Sequence, residues 1–519
     1  MNSDTSIPQV NPWIIAISVM FGTFMEVLDT TVVNVSLPHI AGNLSATPEE
    51  ATWALTSYLV ANAIVLPITG WLSNYFGRKR LLMTSVVGFT TASFFCGFAP
   101  NLAWLVSFRI LQGLTGGVLQ PVSQAVMLEA FPPAQRGKAM GFWGLGIVVA
   151  PMLGPVLGGW LTDNYSWRWI FYVNIPVGIV SIIMTKLFIF DPLYIRRTSA
   201  KVDTWGIGLL AVGIGSLQLV LDKGQQEDWF ASNWIASLTI LSAVLLTVFI
   251  IYELRTAHPV IHLRVFKDRT YATGVLLMTT LGFVLYGSLV LLPLFLQTVL
   301  GYPAVEAGVA MAPRGLGSFI AMPLIGFLTA KIDPRKLLGL GLIGGSLSLF
   351  ALGSLNLQIG YWNIFWPQFF QGISMGLIFV PLTTVTMSLI KKEEMGNATS
   401  LFNLMRNLGG SVGIAVIATT LSRNAQTQFN ILGTHVSGFD MRVRMLLDQM
   451  RTAFMSRGMD FSTASNAAYA ALAGIVQKQA VMVAFVQLFR LLALVFAIVI
   501  PLVFVMKRPK AAQTTVAGH

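Results

Sequence analysis

Charge is what this chain has least of. Asp, Glu, Lys and Arg together make up 10% of its 519 residues, against about 25% in an ordinary soluble domain. So little charge cannot cover a soluble surface of that size. Cysteine is nearly absent: Cys96 stands alone, which excludes a disulfide framework and a thiolate metal site. The five histidines (His39, His258, His262, His435 and His519) are scattered and form no ligand pattern. There is no Walker loop and no Gly-x-Ser-x-Gly elbow, so nucleotide-driven and hydrolase chemistry have no foothold. No metal and no cofactor is expected, and the chain is not read as an enzyme. Acids are the scarcer sign, 21 against 33 basic residues, for a net charge of +12. A surplus of that size can mark nucleic-acid binding. Here most of the basic residues fall in short segments between apolar runs, where they orient a membrane protein instead.

What fills the chain is apolar length. It is 55% hydrophobic with a mean hydropathy of +0.71. Fourteen runs are long enough to cross a hydrocarbon core of about 30 Å as helices. The first six cover roughly 12–37, 51–73, 80–99, 102–128, 138–162 and 168–190. Two more lie near 204–222 and 232–252, and the last six near 271–296, 304–330, 336–356, 362–390, 396–421 and 481–506. The first run has no basic residue before Pro12 and no small-residue cleavage site, so it is expected to be retained. The loops after even-numbered spans, with the tail, carry 20 basic residues: Arg78, Lys79, Arg80, Arg136, Lys138, Arg196, Arg197, Lys201, Arg255, Arg264, Lys267, Arg269, Lys331, Arg335, Lys336, Lys391, Lys392, Lys507, Arg508 and Lys510. The opposite short loops carry Arg168 and Lys223. That asymmetry predicts that both termini are cytoplasmic.

The chain repeats itself. Gly70-Trp-Leu-Ser-Asn-Tyr-Phe-Gly-Arg-Lys-Arg-Leu-Leu82 aligns with Gly326-Phe-Leu-Thr-Ala-Lys-Ile-Asp-Pro-Arg-Lys-Leu-Leu338 at an offset of 256. Gln112-Gly113 aligns with Gln371-Gly372, and Gly137 and Ala139 with Gly396 and Ala398, at 259. The fold class predicted is an all-α polytopic membrane protein of 14 transmembrane helices. Two six-helix bundles, 1–190 and 271–519, flank a linker, 191–270, with two inserted helices; a long outer loop, 422–480, interrupts the second bundle. Parallel repeats of this kind are a transporter architecture, with the site between the repeats near mid-membrane.

The buried charges point to that site. Glu26 and Asp29 lie three residues apart in the first span, hence on one helical face. An acid near a bilayer centre costs about 2.5–3.5 kcal/mol, so the pair should face a cavity or a buried partner and can carry protons. Salt-bridged packing is the plainer reading of both, and gating a further one for Glu26. Arg109 in span 4 is about 10 Å from the outer end at 1.5 Å per residue. Asp29, with the span ending at Pro38, is about 13 Å deep by the same rise. The depths match, and Arg109 needs a counter-charge. Arg314, Arg406 and Arg490 also read as deep, and Lys186 as a residue snorkelling from the inner end of span 6. Asn34, Asn62, Gln112, Gln120, Phe369, Gln371 and Arg406 are candidates to line a pocket between spans 1, 2, 4 and 5 and their counterparts, as polar handles in an apolar wall. For each polar residue an interhelical hydrogen bond is the plainer alternative. Gly70, Gly77 and Arg78 mark a latch in the loop after span 2, where Arg78, Lys79 and Arg80 can cap that helix's carbonyl end. Gly146, Gly154 and Gly158, with Pro151 and Pro155, mark a tight, bendable contact along span 5. Within 422–480, Leu446, Leu447, Met450, Phe454 and Met455, and then Ala467, Ala471 and Gly474, recur near helical spacing, which predicts one or two amphipathic helices on the outer surface.

These motifs resemble those of the major facilitator superfamily, in its fourteen-span drug:proton antiporter branch. Leu28-Asp-Thr-Thr-Val-Val-Asn-Val-Ser-Leu-Pro38 is similar to the branch's first-helix signature, Gly70–Arg80 to the superfamily loop motif, and Arg109–Gly117 to the proton-linked motif of span 4. Ala150–Gly159 resembles the antiporter motif of span 5, and Trp167–Pro176 the start of span 6. Trp366–Gly372, Pro381-Leu-Thr-Thr384 and the long outer loop resemble the EmrB-type pumps and their FarB-like fatty-acid exporters. The resemblance implies proton-driven export of hydrophobic or amphipathic drugs or fatty acids across a Gram-negative inner membrane. It also implies an EmrA-type periplasmic adaptor and an outer-membrane channel as partners. The loop motif usually has Asp where this chain has Asn74, which puts a charge-relay latch in question. Two readings compete: a proton symporter importing a small nutrient, which the span-5 pattern disfavours, and a membrane sensor or scaffold, which the buried charges and the lack of an output domain disfavour.

Overall fold

The computed structural model describes residues 11–191, 203–256, 259–437 and 439–507. Arg196, Arg197, Lys201, His258, Arg508, Lys510 and His519 lie outside the described residues. Thirteen helices there are long and apolar enough to cross a membrane, and a bent pair supplies a fourteenth span. In order, spans 1 to 6 are Pro12–Asn43, Glu49–Val65 with Thr69–Phe76, Arg78–Phe98, Leu102–Ala130, Pro133–Asn164 and Trp169–Phe188. Spans 7 and 8 are Thr204–Lys223 and Asn233–Arg255. Spans 9 to 14 are Arg269–Val299, Glu306–Leu328, Pro334–Leu352, Tyr361–Thr386, Lys392–Thr434 and Phe461–Val505. In lipid an unpaired backbone amide is costly, so apolar runs of this length fold as helices that satisfy their own backbone. Polar caps set their starts: Asn11, Asn101, Asp203, Asp268, Asp333 and Asp460 each accept a bond from an amide two or three residues on. At Asp460, beyond the membrane, bonds from the Thr463 hydroxyl and then its amide hold the carboxyl below its usual range. Span 2 bends by 61° around Pro67, which cannot donate the bond a straight helix needs there.

One packing scheme serves both halves. Span 1 lies on spans 5 and 6, span 4 on spans 2 and 3, and span 3 on span 6; span 9 lies on spans 13 and 14, span 12 on spans 10 and 11, and span 11 on span 14. The halves meet along two lines. On one, span 5 runs against span 10: a Cβ on Gly137 would fall 2.1 Å from the Thr329 hydroxyl, and one on Gly326 2.9 Å from the Gly137 carbonyl. On the other, the short segment Thr69–Phe76 and Leu119–Ala130 of span 4 touch span 13, with a Gly70 Cβ 2.6 Å from Asn397 Cα. Towards the opposite end this second line is covered by span 7. Thr56 of span 2 bonds Asp222 there, while Gln218 exchanges bonds of 3.0 and 3.1 Å with Ser411 of span 13.

Several boundaries differ from the sequence reading. Span 1 does not end at Pro38 but continues to Asn43, because a proline can sit inside a long apolar helix whose neighbours hold it. The segment 422–480 is not a loop carrying surface helices. Span 13 continues unbroken to Thr434, and the last helix begins at Phe461. Asn424 meets Gln487 at 3.0 Å. Beyond that level the two helices extend about 15 and 39 Å at 1.5 Å per residue. Of the segment's expected amphipathic helices, the separate one is Met441–Met455, which packs on span 14. Ala467, Ala471 and Gly474 belong to span 14 itself. Arg490 is not deep either. It is exposed and its Nε caps the Gly353 carbonyl at the end of span 11, because span 14 begins 20 residues earlier than its apolar run.

Candidate transport site

Span 1 presents both acids to the interior. Asp29 is buried and accepts three bonds: Arg109 Nη1 at 2.5 Å, Gln112 Nε2 at 3.0 Å and Asn174 Nδ2 at 2.8 Å. Arg109 is buried as deeply. Its Nε donates to the Ala54 carbonyl at 2.9 Å, its Nη1 also reaches Gln112 Oε1 at 2.7 Å, and its guanidinium lies 4.3 Å from the Tyr58 ring centroid. Removing one member of such a pair strands the other charge in low dielectric, so the remaining bonds matter as much as the ion pair. Spans 1, 4 and 6 therefore converge on one carboxylate, with span 2 supplying a carbonyl and a ring face.

Glu26 lies one turn away and takes neutral donors. Tyr58 Oη reaches it at 3.2 Å, Asn62 Nδ2 at 3.1 Å, and Gln120 Nε2 binds its other oxygen. Gln120 Oε1 accepts in turn from Arg406 Nη2 of span 13. A buried chain of side chains thus runs from span 1 through span 4 into the second half. Tyr58 joins the two acids, its hydroxyl on Glu26 and its ring over Arg109. Nearer the seam Asn403 Nδ2 donates to Gln124 Oε1 at 2.5 Å, and the Thr399 hydroxyl to the Pro121 carbonyl at 3.1 Å.

Of the residues proposed from sequence, Glu26, Asp29, Asn62, Arg109, Gln112, Gln120 and Arg406 come together. Asn34 does not: it is exposed, five residues beyond Asp29 and so on another face of the helix. Phe369 stands in an aromatic ladder on span 12, stacked on Phe365 at 6.1 Å. Gln371 pairs with Gln368 at 3.0 Å in the second half. Sequence reasoning missed Tyr58 and Asn174. Tyr58 lies four residues before Asn62, hence on its face, and Asn174 sits inside the Trp167–Pro176 motif.

The conformational motifs have definite partners. Gly77 has φ +86°, which favours glycine, and begins span 3 over the Asp191 carboxylate, whose Oδ1 accepts the Lys79 amide at 2.8 Å. Arg78 is buried and pairs with the half-buried Glu129 at the end of span 4. Lys79 Nζ caps span 6 at the Lys186 carbonyl, 2.8 Å away. The acids that reach this loop are Glu129 of span 4, in an ion pair, and Asp191 just past span 6, through the Lys79 amide, while position 74 is Asn. On span 5, Gly154 and Gly158 lie on Thr31 and Val32 of span 1, two and three residues past Asp29. That helix runs continuously through Pro151 and Pro155.

The profile of the Major Facilitator Superfamily matches residues 19–414. The chain belongs to this superfamily. Its members are transporters, and this one is a multi-pass membrane protein, not an enzyme. The superfamily chain is 38% identical over 499 residues to the fatty acid resistance protein FarB of Neisseria gonorrhoeae, covering 95% of this chain and 96% of that one. It is 36% identical over 500 residues to the multidrug export protein EmrB of Escherichia coli strain K12, covering 96% of each. Among solved structures it resembles the human organic anion transporter MFSD10, with a TM-score of 0.59 at 13% identity over 95% of this chain and 100% of that one. The proton:xylose symporter XylE gives 0.57 at 14% identity, over 93% and 94%. Those two likenesses concern the fold.

Proposed function

We propose that this protein is a proton-driven antiporter that exports hydrophobic or amphipathic compounds, drugs or fatty acids, by alternating access between its two halves. The observation that carries the reading is the side-chain chain from Asp29 and Arg109 through Tyr58 to Glu26, Gln120 and Arg406. It places two protonatable groups on one helix and ties one of them to the opposite half. A proton on Asp29 removes the charge that holds Arg109. A proton on Glu26 weakens its hold on the Gln120 amide and so on Arg406. The event at Glu26 lowers the energy of parting the halves and couples proton binding to movement, and Asp29 is a second proton site, joined to Glu26 through Tyr58 and Arg109. The multidrug export named for EmrB and the fatty acid resistance named for FarB support the direction of transport. Asp29→Asn should abolish drug-dependent proton movement in everted vesicles while the protein stays folded. Antiport at the wild-type rate in that variant would refute the coupling.

The setting follows from the same reading. The excess of basic residues in the loops after even-numbered spans favours an inner-membrane protein with cytoplasmic termini. The seam at Gly70 and Gly137 then closes the cytoplasmic side. The helices that run past the membrane to Thr434 and from Phe461 face the periplasm and offer a docking surface for an EmrA-like adaptor, which would lead to an outer-membrane channel. Phe439, Met441 and Met445 on this projection are 89%, 67% and 51% exposed, more apolar surface than a solvated tip requires. Replacing all three with serine should leave vesicle antiport intact and abolish co-purification of the adaptor. Undiminished adaptor binding would overturn the docking role.

A further inference from the structure

The second half contains a rearranged copy of the Asp29 site in which the acid is missing. At the 259-residue offset that relates Gln112-Gly113 to Gln371-Gly372, Gln368 takes the place of Arg109. At the 256-residue offset of spans 2 and 10, Arg314 takes the place of Tyr58. The cation has moved from span 4's counterpart to span 2's. Arg314 is 3% exposed and lies eight residues from Glu306, about 12 Å into span 10 at 1.5 Å per residue. Its Nη1 donates to the Ser288 hydroxyl of span 9 at 3.1 Å, and its Nη2 has no partner. Among the described residues it forms no ion pair. Three other buried arginines have an acid within reach: Arg109 holds Asp29, Arg78 holds Glu129, and Arg406 is one amide removed from Glu26. Arg136 is also buried without an ion pair among the described residues, but it stands at the first residue of its α-helix, at the end of its span and not deep within it. The Gln368–Gln371 pair nearby leaves Gln371 Nε2 without an acceptor. Spans 10 and 12 are in backbone contact here, a Gly372 Cβ falling 1.9 Å from the Arg314 carbonyl oxygen.

An isolated cation at this depth is costly, and a hydroxyl offsets little of that cost. We propose that Arg314, with Ser288 and Gln371, is a subsite for a single carboxylate carried by an amphipathic ligand. The ligand supplies the acid that the first half builds into span 1. The site adjoins the seam between the halves: a Cβ on the next residue, Gly315, would fall 1.8 Å from Met152 Sδ of span 5. In this conformation that contact closes the subsite, and parting of spans 5 and 10 would open it to a ligand lying between the halves. The proposal rests on the export reading above and names the headgroup that one wall of the transport site selects.

The test uses the full chain in detergent with three probes of equal chain length: dodecanoate, dodecanol and dodecylammonium. Arg314→Met should weaken dodecanoate binding by at least about tenfold, the loss of one charge-assisted hydrogen bond, and leave dodecanol unchanged. Arg314→Lys should restore part of the dodecanoate affinity. Thermal unfolding without ligand should be no lower in Arg314→Met than in wild type, since the variant removes an uncompensated buried charge. Equal loss of all three probes, or a marked fall in unfolding temperature without selective loss of dodecanoate, would assign Arg314 a structural role and overturn the proposal. Stabilisation by chloride over gluconate that depends on Arg314, with no effect of dodecanoate, would assign the subsite to an inorganic anion and overturn it equally. If the export reading alone is wrong, dodecanoate still binds wild type in an Arg314-dependent way, while vesicles show no ligand-driven proton movement.

Discussion

Asp29 and Glu26 sit one turn apart on span 1, but only Glu26 is linked through a partner to the other half. Every donor to Asp29 belongs to the first half: Arg109, Gln112 and Asn174. Glu26 is held by Tyr58, Asn62 and Gln120, and through Gln120 it feels Arg406 of the second half. Parting the halves leaves the first set intact and breaks the Gln120–Arg406 bond behind the second. One acid is therefore insulated from the conformational change and the other is exposed to it. A coupled transporter needs both kinds: a proton site whose geometry survives the motion, and one whose energy depends on it. A neutral amide between Glu26 and Arg406 suits the second task, because parting the halves then breaks a hydrogen bond and not a buried ion pair.

The sharpest way to break the comparison is at Arg109. Arg109→Ala leaves Asp29 buried without its cation and should cost about 3–5 kcal/mol of stability, the usual loss when one partner of a buried pair is removed. Thermal unfolding of the purified variant should show a large drop, and a change of less than a degree would contradict the insulated-site picture. A smaller effect is expected at the seam. Gly70→Val forces a branched side chain into the Asn397 backbone, at about 1–3 kcal/mol of overpacking. It should push the halves apart at that end, so a cysteine placed at Asn403 should react faster with an impermeant thiol reagent. Cys96 is buried and is the sole native cysteine, which keeps the background low. The smallest effect on stability, about 1 kcal/mol, is expected from Glu26→Gln, which keeps the side chain's shape and loses its charge. Its readout is coupling: substrate binding should remain while its dependence on the proton gradient fades. An unfolding temperature as low as that of Arg109→Ala would mean that the two acids are held alike.

The spans were legible as apolar runs because lipid leaves the backbone no alternative to a helix. The Asp29–Arg109 contact could be anticipated from matched depth, since two opposite charges at one level in hydrocarbon have few other partners. Neutral residues were harder. Tyr58 and Asn174 are single polar groups on apolar helices, and composition does not distinguish a ligand of Asp29 or Glu26 from an ordinary interhelical bond. Asn34 misled for the same reason, and only its exposure separates it from Asn62. Hydropathy also measures where a helix leaves the membrane, not where it ends. This hid the extensions of spans 13 and 14 beyond their apolar runs and made Arg490 look deep. The loop after span 2 shows a further limit: Glu129 and Asp191 lie 51 and 113 residues after Arg78, and nothing local points to them.

The seam joins repeat-related residues crosswise. Gly70 of the first half rests on Gly396 and Asn397 of the second, and Gly326, its repeat partner, rests on Gly137, the repeat partner of Gly396. This is the pattern of an isologous dimer interface, in which one patch meets a copy of itself about a two-fold axis. A surface that is self-complementary needs no covalent connection to find its partner. The connection between the halves then raises the local concentration of one around the other, and span 7 adds bonds to both sides of a contact that already matches itself.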